Sequence, residues 1–255
     1  MPHPLVTTII PCHNHEQWIC DAITSVATQD YPNARIVLVD DGSTDGSVDR
    51  AVGLIENPRY PKPQPDIWTA WGNIRGTRVP LMIQKLPQAN GPSFARNWGI
   101  QVAWEGTDIF GFLDSDDMFR QGKLSKSVAK MLQVPSHIGG VYSDYDTLRP
   151  DGLMLRQFKE PFSRERMLGG ECVANMDSIV SKKAIEACGA FDPALRCCED
   201  FDFWMRISER FVICHLPESL VTIRVGEHSS STTVPTDTWQ RCYSRVFEKV
   251  RERAN

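Results

Sequence analysis

The chain opens as short apolar runs that each end in a polar, mostly acidic turn. Ile36–Val39 is an unbroken β-branched and leucine run that feeds directly into Asp40-Asp41-Gly42-Ser43-Thr44-Asp45. A strand without polar alternation is buried on both faces, as in a parallel sheet covered by helices. Leu5–Ile10 is a similar run. After it, Ile19, Ala22, Ile23, Val26 and Ala27 recur at the spacing of an amphipathic helix. Val79–Gln84 and Ile109–Leu113 read as further strands, and Ser93–Trp104 as a helix entered through Gly91-Pro92. Repeated βα units imply right-handed crossovers and an α/β fold with a mostly parallel central sheet flanked by helices.

The second half is more mixed. Ile138–Tyr142 and Leu153–Leu155 read as strands around an Arg149-Pro150-Asp151-Gly152 hairpin turn. Ser178–Ser181 and Phe211–Cys214 are short strand candidates, and a helix runs from about Glu199 to Arg210. Phe201, Trp204, Met205 and Phe211 are assigned to packing. The tail Thr236–Arg253 carries Trp239, Tyr243, Val246 and Val250 at near-helical spacing and should dock as a helix. Asn57–Arg78, with four prolines and with Trp68 and Trp71, reads as a long loop.

Composition excludes several classes. The 255 residues carry a net charge of −4, which argues against nucleic-acid binding through a basic surface. No apolar run reaches the length of a membrane span, and the first residues lack the features of a signal peptide. Eight cysteines without a Cys-x-x-Cys or zinc spacing read as reduced thiols of a cytoplasmic protein.

In an open parallel sheet, ligands bind beyond the carboxyl ends of the strands. Those ends carry Pro11-Cys12-His13-Asn14, Asp40–Asp45 and Asp114-Ser115-Asp116-Asp117, all on one edge. Carboxylates crowded there need an offsetting cation, and a divalent metal (Mn²⁺ or Mg²⁺) with oxygen ligands is the simplest. Asp45 and Asp117 read as turn and capping residues. Cys12-His13-Asn14-His15 tempts a metal reading, but a short segment leaving a strand presents alternate side chains to opposite faces.

These residues carry a resemblance. TTIIPCHNHEQWICDAITSVATQDYPNARIVLVDDGSTDGS, NGPSFARNWGI, FGFLDSDDMF and SIVSKKAIEACGAFDPALRCCEDFDFWMRI follow one another in the order found in family 2 glycosyltransferases. The chain resembles that family from about Val6 to Thr232. The resemblance implies one GT-A domain over residues 1–232, with a Rossmann-like nucleotide half (about 1–117) and a mixed acceptor half (118–232). Residues 57–78 would be an insertion and 233–255 a helical tail.

By resemblance, Pro11 and His13 line the nucleotide pocket, although the family often has an aromatic such as Tyr at the latter position. Asp41 would accept the imide N–H of the base, which favours a UDP- or dTDP-sugar. Arg96 would reach the nucleotide or the Asp-x-Asp turn, a role compatible with a structural salt bridge there. Asp114 would touch the ribose with Ser115 beside it, and Asp116 would ligate the metal on the diphosphate. Asp200 would be the general base toward the acceptor hydroxyl, supported by Glu199. A carboxylate in a helix's first turn faces unpaired N–H groups, which favours its ionised form. His228, in Arg224-Val225-Gly226-Glu227-His228, would join the metal, with a spacing shifted from the family's.

The resulting expectation is an inverting, metal-dependent sugar transfer to a glycan, lipid-linked or protein acceptor. The alternative is an inactive nucleotide-sugar-binding or scaffold protein of the same fold. A glycoside hydrolase would leave the Asp40–Asp45 turn without a role. An EF-hand beginning at Asp41 fails because its twelfth position is Val52. A dinucleotide oxidoreductase fails because no Gly-x-Gly-x-x-Gly follows the first strand.

Overall fold

A computed structural model describes residues 3–61, 67–134, 137–226 and 234–254. The first half contains β1 (Val6–Cys12), α1 (Ile19–Ala27), β2 (Ala34–Asp40), α2 (Ser47–Gly53), β3 (Ile55–Arg59), β4 (Trp68–Ile74), β5 (Pro80–Lys85), α3 (Pro92–Val102), β6 (Ile109–Phe112) and β7 (Met118–Phe119). There follow α4 (Lys123–Met131), β8 (Ile138–Leu148), β9 (Met154–Gln157), α5 (Arg164–Leu168), β10 (Ile179–Ser181), α6 (Lys182–Cys188), α7 (Glu199–Ser208), β11 (Val212–Arg224) and α8 (Thr236–Ala254).

One sheet orders these strands β3-β4-β5-β2-β1-β6-β10-β8-β11-β7, with β9 paired to β8. The four strands β5, β2, β1 and β6 are mutually parallel, as the uninterrupted apolar runs predict. Beyond β6 the sheet is mixed. Strand β10 runs antiparallel to both β6 and β8, and β8 runs parallel to β11. Each face has its own core. Ile9, Phe110 and Phe112 pack under α3, α6, α7 and α8, while Val6, Ile10 and Leu38 pack under α1, α2 and α4. Helix α3 lies so close to β1 that a Cβ on Gly99 would sit 2.6 Å from Cγ2 of Ile9.

Three sequence expectations change. Residues 57–78 are not one long loop, because β3 and β4 pair as an antiparallel hairpin that extends the sheet past β5. Pro58 is tolerated because β3 is the edge strand, where a missing N–H leaves no ladder bond unmade. Ile55, Ala70 and Ile74 are buried, while Trp68 and Trp71 stay 38% and 41% exposed. Residues 62–66, with Pro63 and Pro65, lie outside the described residues.

Strand β8 continues to Leu148 through Ser143, Asp144 and Asp146, which are polar yet buried. Lys123 donates to Ser143 Oγ at 3.0 Å, His215 Nε2 is bonded to Asp144 Oδ1 at 2.7 Å, and Arg156 donates to Asp146. Strand β11 runs to Arg224 through register shifts around Leu216–Ser219.

Helix α8 docks as its spacing predicts, with Val246 buried and Trp239, Tyr243 and Val250 packed against the same core. Tyr243 stacks on Phe201 at 5.0 Å, and Lys249 lies 2.7 Å from Asp202 and 2.8 Å from Asp192. All eight cysteines are free thiols. No helix among the described residues is long and apolar enough to cross a membrane.

Candidate active site

The carboxyl ends of β1, β2 and β6 meet the start of α7 around a cavity of about 430 Å³. Pro11, His13, Asp41, Arg96, Asp114, Ser115, Asp116, Glu199 and Asp200 all line it. Nine of the ten residues singled out from the sequence are therefore neighbours in space. The tenth, His228, lies outside the described residues.

Cys12, His13 and His15 all line the cavity. Strand β1 ends at Cys12, and Asn14 adopts φ 57°, so strand alternation does not govern these side chains. The His13 ring bonds the Asp41 carbonyl at 2.8 Å, and His15 bonds Ser115 Oγ at 2.7 Å. His15 Nδ1 is also 4.0 Å from Asp116 Oδ1.

Asp41 is buried and accepts the backbone N–H groups of Asn90 (2.9 and 3.0 Å) and Gly91 (2.7 Å). It thus pins the entry to α3 against the end of β2. Gly42 makes this closeness possible: its φ is +71°, and a Cβ would meet the Gln88 carbonyl carbon at 2.6 Å. Asp45 is the turn residue its sequence suggests, accepting Ser47 N–H at 3.0 Å.

Arg96 joins the two halves of the site. It donates to Asp114 at 2.6 Å and to Glu199 at 2.9 Å, with its side chain almost fully buried. Burial opposes its charge, but Asp114 and Glu199 outweigh burial and raise its pKa. The sequence reading of a salt bridge inside the carboxylate cluster is what the geometry contains.

Behind the cavity wall sits a second carboxylate group that sequence reasoning missed. Ligand oxygens of Asp114, Asp117 and Asp177 lie within 4.8 Å of one another. Asp177 accepts the Asp114 N–H at 3.1 Å, and Asp117 accepts the Arg224 N–H at 2.8 Å. Arg224 also donates to the Asp116 carbonyl at 2.7 Å. Asp117 is therefore more than a cap. Burial, with the negative charge of Asp114, pushes Asp177 up to about 7. Burial and Asp177 likewise raise Asp117. Lys123 is buried nearby and pushed down to about 7. Asp177 was hidden because β10 is antiparallel to β6, so the residue before β10 arrives at the end of β6. A strand candidate preceded by an acid was the available signal.

Asp200 lies in the first turn of α7, entered through Cys198 at φ 59°. Burial pushes its carboxyl up to about 6, and Glu199 adds to this, while the Phe201 N–H and Arg96 pull the other way. The helix-terminus argument for an ionised carboxylate is thus outweighed by desolvation. Cys172 Sγ donates to Asp200 Oδ2 at 3.7 Å. Arg196 and Trp239, also on the wall, were not singled out as site residues in the sequence.

Residues 7–64 match the family model described as glycosyl transferase family 2. An uncharacterised glycosyltransferase of Haemophilus influenzae is 33% identical over 145 residues, 57% of this chain. A Bacillus subtilis glycosyltransferase named for teichuronic acid biosynthesis, TuaG, is 25% identical over 234 residues, 90% of this chain. The chain spans 48% of the former's length and 82% of the latter's. Staphylococcus aureus TarS 1-349 in complex with UDP-GlcNAc superposes with a TM-score of 0.70 at 18% identity, covering 95% of this chain and 66% of that one. The mannosyltransferase PcManGT of Pyrobaculum calidifontis, with GDP-Man and Mn²⁺, superposes at 0.64 and 16% identity, covering 90% and 59%.

Over residues 7–64 the chain matches glycosyl transferase family 2, and it has the GT-A fold. Within that fold, the ends of the parallel strands β2, β1 and β6 and the start of α7, which carries Asp200, line the same cavity.

Proposed function

We propose that this chain transfers a sugar from a nucleotide diphosphate sugar to an acceptor hydroxyl, with inversion at the anomeric carbon. The observation that carries the reading is one cavity lined by Asp41, Asp114 and Asp116 together with a half-buried Asp200. Asp41 is the residue for the base, and its oxygens, already fixed by two backbone N–H groups, have lone pairs to spare for an imide N–H. This favours a UDP- or dTDP-sugar. The complex of TarS with UDP-GlcNAc supports a nucleotide-sugar donor of this kind.

The donor set facing the cavity suits a hard divalent cation, with carboxylates from Asp114 and Asp116 on a turn braced by Arg224. Asp116 is the assigned ligand, and His228 is a candidate beyond the described residues. When bound, such an ion would offset the charge of a departing diphosphate. The Mn²⁺ complex of PcManGT supports this choice. Asp200 takes the proton of the acceptor hydroxyl as its oxygen bonds to the anomeric carbon and the bond to the diphosphate breaks. Glu199 and Arg96 hold α7 at the right distance from the nucleotide side. Names of relatives such as TuaG and the minor teichoic acid biosynthesis protein GgaA support a cell-envelope glycan as the product class.

The test is a thermal-shift panel of UDP-, dTDP- and GDP-sugars with Mn²⁺ and Mg²⁺, followed by donor hydrolysis. Metal-dependent stabilisation by one sugar nucleotide is the expected result. No shift with any of them would overturn the assignment.

A further inference from the structure

The wall of the cavity beyond Asp200 continues into a second groove. Arg196, four residues ahead of Asp200, lines the cavity together with Trp239. The same Arg196 lines an adjoining groove of about 400 Å³ with Thr238, Arg241 and Arg245 of α8. Residues 238, 241 and 245 recur at the spacing that puts them on one helix face. Trp239 is the only indole or phenyl ring on the described cavity wall.

The charges in this groove are unbalanced. Arg245 is taken by Glu248 at 3.2 Å and by Glu252 at 3.0 Å. Among the described residues, Arg241 donates only to the neutral Thr238 Oγ1, at 3.2 Å. Asp237 lies one helical turn before Arg241 and Glu248 lies further along α8, yet no ion pair joins either to Arg241. Among the described residues no carboxylate pairs with Arg196 either. Among the described residues, two guanidinium groups therefore stand without a carboxylate partner in a groove that shares Arg196 with the cavity of Asp200. A guanidinium fork matches a carboxylate or phosphate in two hydrogen bonds.

The groove is also a fixed one. Cys197 Sγ donates to the Thr238 carbonyl at 3.8 Å, and Tyr243 stacks on Phe201 one residue from Asp200. Neither arginine is needed for the base of the donor, which the reading above assigns to Asp41.

We propose that the groove from Asp200 past Trp239 and Arg196 to Arg241 is an acceptor subsite for a glycan bearing an acidic group, carboxylate or phosphate, beside the reacting hydroxyl. Trp239 offers the apolar face of a sugar ring its stacking surface, and the arginines hold the acid. This rests on the transfer reading above and narrows its acceptor.

The experiment titrates the full chain, with UDP and Mn²⁺ present, with three soluble oligomers of matched length: an oligogalacturonate, an oligo(glycerol phosphate) and a neutral malto-oligosaccharide. At least one acidic oligomer should bind about tenfold more tightly than the neutral one, and which one does so distinguishes carboxylate from phosphate. Arg241→Gln and Arg196→Gln should each reduce that preference by about tenfold, the scale of one lost charge-assisted contact. Arg59→Gln, on the β3–β4 hairpin, should leave it intact. Equal binding of the neutral oligomer, no binding of any oligomer, or equal losses in all three variants would overturn the subsite. Donor hydrolysis by the same samples separates the two claims. Hydrolysis without acid preference overturns the subsite alone. Acid preference without UDP binding or hydrolysis overturns the transfer reading.

Discussion

The Arg96 guanidinium donates to Glu199 Oε1 at 2.9 Å, and so ties α3 to the helix that carries Asp200. Its other amino group is held by Asp114. Removing a buried cation from between two carboxylates leaves charges unpaired, a change that costs about 3 to 5 kcal/mol. Arg96→Met should lose stability on that scale in urea unfolding. The double variant Arg96→Met/Glu199→Gln should recover part of it, because the two sites interact. Full additivity of the two single variants would show that the contact carries no coupling.

Asp200 must be ionised to accept a proton, and burial with Glu199 holds it up to about 6. The transfer rate should therefore fall as pH drops through about 6 and level off above it. Glu199→Gln removes the negative neighbour, so the midpoint should move to lower pH. Asp200→Asn should keep nucleotide affinity and lose transfer by about a thousandfold. A midpoint indifferent to Glu199 would remove Asp200 as the titrating group.

Asp116→Ala should lose the metal-dependent part of nucleotide binding, measured as the Mn²⁺ increment in thermal shift with UDP. Asp117 faces away from the cavity and supports the turn through the Arg224 N–H, so Asp117→Asn should lower stability more than it lowers that increment.

The buried acid behind the wall gives a stability signature. Burial and Asp114 raise Asp177 to about 7 in the folded protein, against 3.8 for an ordinary aspartate. Because the folded pKa is the higher, the stability tied to its proton is complete below the lower value and is lost as pH rises to about 7. Asp177→Asn stays neutral throughout. Its stability relative to the parent should rise between about pH 4 and pH 7, read by urea midpoints. A constant difference across that window would show that Asp177 does not titrate there.

Much of this site was legible because parallel strands advertise their ends. Ile36–Val39 and Ile109–Phe112 are apolar throughout, so the acids that follow them had to meet at one sheet edge. Asp177 escaped because the same edge is also reached by an antiparallel strand from its amino end. Strand β8 was read short because Ser143, Asp144 and Asp146 look like loop residues until Lys123, His215 and Arg156 are seen to satisfy them. The β3–β4 hairpin was read as a loop because prolines signal breaks, and only its edge position makes Pro58 harmless. The pKa of Asp200 was misjudged in direction because desolvation depends on what packs over a helix start, which local sequence does not contain.

The pairing of β1 with β6, in which Val6 stands opposite Ile109, also governs how this molecule is made. Such long-range parallel pairing must close a large loop before it gains any contact, so folding should be slow relative to a helical bundle of the same length. Arg96 and Glu199 lie 103 residues apart in sequence and wait for that closure. Arg96 can meet Asp114 once β6 is in place, but the edge of β6 stays open until β10 arrives, the stage at which such a chain is most prone to aggregate.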